Sequence, residues 1–447
     1  MLKSILNPKF VIVLIIGILL YIQFNIARWN KSEIFEWDVK VYYAYVPAAF
    51  IYKDLHMKYF DTIPKLGNYA WYSLDSNGNR YLKVSMGVAL MYLPSFALVH
   101  SWQLITGGVT DGYSAPYQRA ISLNALLFLF LGLFCLYKLL SRFYKPIVVS
   151  VSLILIVFAT NLLYYASNEP GLSHVYSFSL FAVCLLLIVK WHERKQLKTA
   201  MGIGLVLGLI SLIRLPNLII VIILILYGVK SLKDFKDNIM LFFKTYPQWM
   251  LAVLMFCLVW VPQLIYWKIV TGHFFFYTYG DESFSFTKPE IINVLFSYRK
   301  GWFVYTPLAL IAIAGIFCLN KDTAKLRSGT ITYLIFQIYI VASWWCWWYG
   351  GCFGQRSMIE SLAVVVIPLA ALINMIFERF SWHRIVLGIL IILLFILNIV
   401  QTFQYRYTII HWDSMTKQAY WHVFLKLDKP KDIKMYLEEP DYSNKKR

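Results

Sequence analysis

An all-α polytopic membrane protein is what this sequence predicts, and three observations carry the prediction. Hydrophobic residues fill 60% of the 447 positions and charged residues only 15%, with a mean hydropathy of +0.60; a water-soluble domain carries far more charge. The apolar residues gather into about a dozen runs, most of them near the ~20 residues a helix needs to cross a bilayer. Lys and Arg outnumber Asp and Glu 42 to 23 and fall in short loops between those runs. That placement explains the net charge of +19 as orientation by cytoplasmic positive charge. It removes the nucleic-acid partner that a basic chain otherwise suggests.

The runs lie near 10–28, 84–106, 118–140, 147–166, 173–190, 199–213, 217–229, 249–270, 304–319, 329–348, 357–377 and 385–404. No stretch reads as a separate soluble domain and no repeat has a fixed period. Residues 1–404 therefore form one transmembrane unit, with outer loops at 29–83 and 271–303, and 405–447 form a tail on the outer face. Arg28 follows the first run and no small-residue cleavage site is present, so the run reads as a retained span rather than a signal peptide. The clearest basic loops are 141–145, 190–198, 230–244, 321–327 and 378–384.

Placing those loops and the N-terminal Lys3 and Lys9 in the cytoplasm works from residue 118 onward. An odd number of crossings must then separate 29–83 from 141–145. The weaker spanner is 84–106, which carries Pro94, Ser95, His100 and Gln103 and ends in Thr106-Gly107-Gly108. The expectation is a re-entrant or interfacial element there, covered by protein or water. That leaves a bundle of about eleven transmembrane helices, with the N-terminus inside and the C-terminus outside. A true span at 84–106, with 141–145 outside, is the competing arrangement.

This topology collects the chemically interesting residues on one face. In the first loop Glu36 and Asp38 flank Trp37 where the chain leaves the bilayer, followed by Tyr42, Tyr43 and Tyr45. A carboxylate held against lipid and aromatic rings is desolvated, and its basicity can be tuned; the same stretch also suits a solvated juxtamembrane turn. Asp75-Ser76-Asn77-Gly78 reads as a hairpin turn. Lys83 re-enters the bilayer as a snorkelling anchor or a phosphate ligand. Glu169, before Pro170-Gly171 and with His174 five residues on, is either a functional acid at the membrane rim or a helix N-terminal acid. Arg214, ahead of Asn217 in an apolar window, needs an anionic partner: a lipid phosphate or Glu169.

Tyr298-Arg299-Lys300-Gly301-Trp302 places two cations and aromatic rings at the start of a run, and Trp344 to Arg356 is an outer loop of Trp, Gly and Gln355-Arg356. Indole and phenol rings such as Trp347 and Tyr349 beside polar groups suit a sugar ring, and Arg356 suits a phosphate bidentately. Cys135, Cys184, Cys257 and Cys318 read as packing residues; Cys346 and Cys352 could pair in an oxidising compartment. The acids could hold a divalent cation through oxygen ligands, but no His/Cys metal spacing is present, so no metal ligand is assigned.

Taken in order, these motifs resemble a family. A juxtamembrane acid with Tyr-rich sequence, Lys83 with Gly87, Glu169-Pro170-Gly171-Leu172-Ser173-His174, Arg214-Leu215-Pro216-Asn217, Arg299-Lys300-Gly301 and Trp347-Trp348-Tyr349-Gly350-Gly351 through Gln355-Arg356 are similar to bacterial integral-membrane glycosyltransferases of the GT-C superfamily. These are distantly like the protein O-mannosyltransferases and the lipid A aminoarabinose transferase. The resemblance implies a polyprenyl-phosphate sugar donor, a lipid-linked glycan, lipid or protein acceptor, and membrane lipids as surroundings. It also implies an active site on the periplasmic face of a bacterial inner membrane. It places the base at Asp38 or, in its stead, Glu36, the second acid at Glu169 and the phosphate contact at Lys83. Many relatives have adjacent acids at the first site, whereas here Trp37 separates them. A lipid-linked glycan flippase and a polymerase or ligase using a lipid-pyrophosphate donor remain alternatives.

Overall fold

The computed structural model describes residues 7–378 and 382–443, and it is an all-α membrane fold. Six helices are long and apolar enough to cross a bilayer by length and composition. Others are shorter or broken, because Pro, Gly and polar residues interrupt their ladders and neighbouring helices satisfy the freed backbone groups.

Helix α1 (Pro8–Ile26) is capped by the Asn7 side chain. After it come α2 (Asp38–Phe50), α3 (Gly87–Thr106), α4 (Ala115–Leu140), α5 (Pro146–Phe158), α6 (Leu162–Ser167), α7 (Ser173–Arg194) and α8 (Leu197–Ile213). The second half holds α9 (Val221–Ile225), α10 (Leu232–Lys244), α11 (Tyr246–Thr271), α12 (Pro307–Ala314), α13 (Arg327–Ser343), α14 (Leu362–Glu378), α15 (Trp382–Arg406) and α16 (Lys417–Val423). The chain passes between the two ends of the bundle along α1, α4, α5 with α6, α7 and α8. It continues along the 3-10 turn Leu215–Ile220 with α9, then α11, α12 with the turn Gly315–Cys318, α13, α14 and α15. By length and composition the described residues hold six candidate spans, α3 among them, or up to seven if α12 with its turn and α13 form one bent span.

Side-chain contacts define the ends. At one, Arg142 pairs with Glu193, Tyr144 reaches Thr323 at 3.3 Å, Gln248 donates to the Lys195 carbonyl at 2.8 Å and Gly228 N–H to the Lys325 carbonyl at 2.6 Å. These contacts join three of the basic loops and, through Gly228 and Gln248, the two flanks of 230–244. The fifth, 378–384, lies partly outside the described residues. The stretch 230–244 is not a loop but α10, with a Ser231–Asp234 capping box. Leu232, Met240 and Phe243 are exposed along it, the pattern of a helix lying in a membrane interface.

At the other end the Gln23 side chain donates to the Ala166 carbonyl at 2.8 Å, Arg28 to the Asn168 carbonyl at 2.6 Å and Ile34 N–H to Gln118 at 3.1 Å. Helix α3 belongs wholly to this end. Length and composition would let it cross, and its contacts tie it to the elements of this end. Ser85, just before it, donates to the Leu212 carbonyl at 2.6 Å, and Tyr92 in its middle bonds the Gly171 carbonyl. The loop after it is held by α2, Tyr43 on Gly112 at 2.5 Å and Tyr52 on Asp111 at 2.9 Å. The helix is continuous, without the chain break that the re-entrant form requires. Its polar residues need no chain break because neighbours satisfy them: Ser95 bonds Asn124 and His100 bonds Tyr117, both at 2.7 Å.

The expected hairpin is a two-residue pair, β1 (Ser73–Leu74) with β2 (Arg80–Tyr81) antiparallel, closed by Asp75 accepting from Asn77 and Asn79 N–H at 2.8 Å each. The tail folds back onto the outer loops. Lys300 is buried and donates to the Trp412 carbonyl at 2.5 Å and to the Cys352 carbonyl, and Arg299 donates to the Asp413 carbonyl at 2.7 Å. Cys346 and Cys352 are both buried and free. The pairing entertained from sequence is not made, and the Cys352 thiol instead points at the Trp348 and Gly354 carbonyls, 3.4 and 3.2 Å away.

Candidate active site

Asp38 opens the first turn of α2, and its Oδ2 lies 3.1 Å from a terminal guanidinium nitrogen of Arg356, 318 positions away by number. The Asp38 side chain is 35% exposed and that of Arg356 15%. The inequality matters: the carboxylate keeps a face open to solvent while the cation that orients it is sunk in protein. Arg356 is delivered by the 344–356 loop, which Gln355 braces by donating to the Trp347 carbonyl at 2.9 Å, and which Asn161 holds at the Phe353 carbonyl at 3.2 Å.

Glu169 joins the same cluster from the α6–α7 turn. The Gly171 backbone there sits against Val39 of α2, so close that a Cβ would stand 2.8 Å from a Val39 methyl. A side chain at 171 would push the two acids' elements apart. Tyr164 hydroxyl meets Glu169 at 3.3 Å. Burial pushes the Glu169 carboxyl above its ordinary value, while Arg28 and Arg356 pull it back and Asp38 adds to the rise. Glu36 is turned elsewhere: Arg28 binds it at 3.2 Å and Glu33 at 3.4 Å. Of the two first-loop acids, Asp38 is the one beside Arg356. Glu36, Trp37, Glu169, Gly351 and Arg356 line a cleft with about 410 Å³ of atom-free space, mouth included.

Behind Asp38 lies a second polar layer. Arg214 is in the electrostatic reach of Glu360, Tyr42, Tyr349 and Arg356, yet among the described residues no carboxylate comes within 4.0 Å of its guanidinium. Glu169, the protein partner expected from sequence, is not in contact with it. His174 and Glu360 are both 1% exposed with 3.9 Å between them, too far for a hydrogen bond. Both His174 nitrogens, Glu360 Oε2, Ser177 Oγ and Arg356 Nε lack partners in this layer. Each such buried group costs about 1–3 kcal/mol, so their concentration marks a place that a polar ligand or water completes. Asn217 faces Glu360.

Other nominated residues fall outside the cleft. Lys83 is engaged by Glu282 at 2.6 Å and lies over the Tyr279 ring. Tyr298 and Arg299 hold the tail, the former accepting from Trp421 Nε1 at 3.3 Å. Trp347 and Gln355 are buried in the loop they brace. Tyr349 stays at the site, beside Arg214 and Glu360, with a left-handed φ of 54°. Sequence reasoning missed Glu282 and the role of Glu360. The latter had a local signal, four residues after Arg356; the former had none. No group of three or more His, Cys, Asp or Glu able to hold a metal ion occurs among the described residues. A larger atom-free space, about 1580 Å³ with its mouth included, opens between α8, α9, α10 and α11 at the basic end. Its walls are Ile, Leu, Val and aromatic side chains without an ionisable acid or base other than Tyr246, so it faces lipid rather than chemistry.

No family model and no curated protein matches the chain. A solved structure does: the oligosaccharyltransferase of Archaeoglobus fulgidus in its apo form, with a TM-score of 0.50 and 11% identity. The alignment covers 98% of this chain and 61% of that one. At that identity the likeness is one of fold, and the present chain spans about three fifths of the archaeal enzyme's length.

Proposed function

We propose that the chain is a membrane glycosyltransferase of the GT-C kind that moves a sugar from a polyprenyl-phosphate donor to an acceptor nucleophile. The observation that carries the reading is Asp38: a carboxylate with one open face, oriented by buried Arg356, at the end of a bundle whose fold an oligosaccharyltransferase shares. Asp38 accepts the proton of the acceptor hydroxyl or amine as it attacks the anomeric carbon, a role worth ~10²–10⁴ in rate. Arg214, without an anion in contact, stabilises the phosphate charge that develops as the sugar departs. Lys83 adds to it once it exchanges Glu282 for the donor. Glu169, its carboxyl raised by burial, holds the acceptor beside the base.

A single base and one displacement give inversion at the anomeric carbon. The acceptor is a lipid-linked glycan, a lipid or a protein, and the site end faces the periplasm of a bacterial inner membrane, opposite the basic loops. The test is the purified full chain in detergent or nanodiscs with synthetic polyprenyl-phosphate sugars, following release of polyprenyl phosphate. Release above the protein-free rate supports the reading. No release from any pentosyl or hexosyl donor, with or without lipid and glycan acceptors, refutes it.

A further inference from the structure

Trp37 stands between Glu36 and Asp38 with φ 49° and ψ −134°, outside the basins that side chains other than glycine ordinarily occupy. Its ring is 72% exposed. A bulky residue in such a conformation stores backbone strain, which persists where the surroundings over-determine it. Here they do. Arg28 clamps Glu33 and Glu36 on one side, and the Asp38–Arg356 pair and the first turn of α2 fix the other. Burial does not explain the residue, because the strained side chain points outward.

A second indole meets it. Trp71, 44% exposed, lies edge-on to Trp37 with ring centroids 6.3 Å apart and planes at 69°. The loop that carries it is fastened by Lys40 donating to the Asn68 carbonyl at 2.6 Å and by Arg80 on Asp61 at 2.7 Å. The two rings make an aromatic corner beside the cleft that Trp37 lines, next to Asp38 in the chain. Indoles at a membrane rim usually anchor in headgroups. Trp37, however, lines the cleft together with Arg28, Glu33, Glu36, Glu169 and Arg356, and a wall with five charged groups needs water. Open indole faces beside carboxylates that accept hydroxyl hydrogens are what a sugar ring requires: C–H groups on the flat face and O–H groups at the edge.

We infer that the Trp37–Trp71 corner is the acceptor subsite and that it takes a carbohydrate ring, so that the acceptor is a glycan or glycolipid rather than a peptide. This rests on the transferase reading for the name "acceptor", but binding is measurable without turnover. Saturation-transfer NMR would be run on the full chain in detergent with maltotetraose, cellotetraose and chitotetraose, and with a neutral tetrapeptide of similar mass. At least one oligosaccharide shows transfer to its ring C–H protons, weakened about tenfold by Trp71→Ala and by Trp37→Gly, from the loss of one ring contact. Trp37→Gly is the decisive variant because glycine relieves the strain. Its thermal midpoint stays at or above that of the parent while sugar contact falls, whereas a merely structural Trp37 would lose both. Absence of transfer to all three oligosaccharides, undiminished transfer in Trp37→Gly, or stronger transfer to the peptide overturns the assignment. Loss of parent indole emission on brominated lipid, restored by Trp37→Gly, overturns it also by placing the ring in the membrane. Failure of the transferase reading shows separately, as donor that is never turned over.

Discussion

Gly87→Ala is the substitution that links the odd position of α3 to the chemistry. Gly87 begins α3 against the end of α8, and a Cβ there would stand 2.4 Å from Ile213 N and 2.5 Å from the Leu212 carbonyl carbon. Both are backbone atoms, so no side-chain rotation relieves the clash. Ordinary contact starts near 3.4 Å, and the two segments must part by about 1 Å, the kind of overpacking that costs ~1–3 kcal/mol. The Ser85 bond to the Leu212 carbonyl, 2.6 Å long, stretches with them and adds ~0.5–1.5 kcal/mol. The next residue after Ile213 is Arg214, so the displacement is passed to the proposed phosphate contact. A misplacement of ~1 Å at a reacting centre is worth up to ~10²-fold in rate. Gly87→Ala should lower the unfolding midpoint by several degrees and cut donor turnover at least ~10-fold, with KM for the lipid phosphate rising. Thermal unfolding in detergent and the donor-release assay read the two. A variant with parental midpoint and parental turnover would show that α3 does not rest on the end of α8.

Arg214→Gln is expected to raise donor KM ~10-fold or more while leaving the fold intact, since it removes a cation with no contacting anion; an unchanged KM moves the phosphate to Lys83. For Glu169 the sign follows from its raised carboxyl. The unfolded chain ionises first as pH rises above about 4.5, so the parent loses stability until the folded carboxyl has also ionised, and the loss then stays constant. Glu169→Gln should therefore be at least as stable as the parent at pH 7.5 and converge with it below pH ~4; the reverse order in pH-dependent unfolding contradicts the burial argument. Lys300→Met leaves the Cys352 carbonyl unpartnered, at ~1–3 kcal/mol, and the Trp412 carbonyl with only the Cys352 N–H at 3.2 Å, and limited proteolysis should then clip the tail beyond Arg406 faster than in the parent.

The architecture was legible from sequence wherever it depended on local composition. Runs of apolar residues and the side on which Lys and Arg fall set the passages and the two ends. The polar residues of α3, Ser95 and His100 above all, need partners, and they find them in Asn124 and Tyr117. The same logic stopped short at α10, where a basic stretch concealed a Phe and Leu face. The chemistry was legible as types and order but not as pairs. Asp38 was nominated for its place beside a membrane exit, and Arg356 for its loop; that they meet at 3.1 Å depends on the tail, Lys300 and Asn161 placing a loop far along the chain. Lys83 reads from sequence as a snorkelling anchor or a phosphate ligand, and nothing local announces the Glu282 carboxylate that it meets. Trp37 looked like one more interfacial indole until its backbone conformation and its cleft set it apart.

The account stands or falls on Asp38 as the proton acceptor, and one measurement reaches it directly: single-turnover release of polyprenyl phosphate by Asp38→Asn beside the parent, at saturating donor and acceptor. Loss of the base predicts a fall of ~10²-fold or more with donor still bound through Arg214. Parental turnover in Asp38→Asn, with Glu36→Gln inactive instead, would move the base to the other side of Trp37 and contradict the reading.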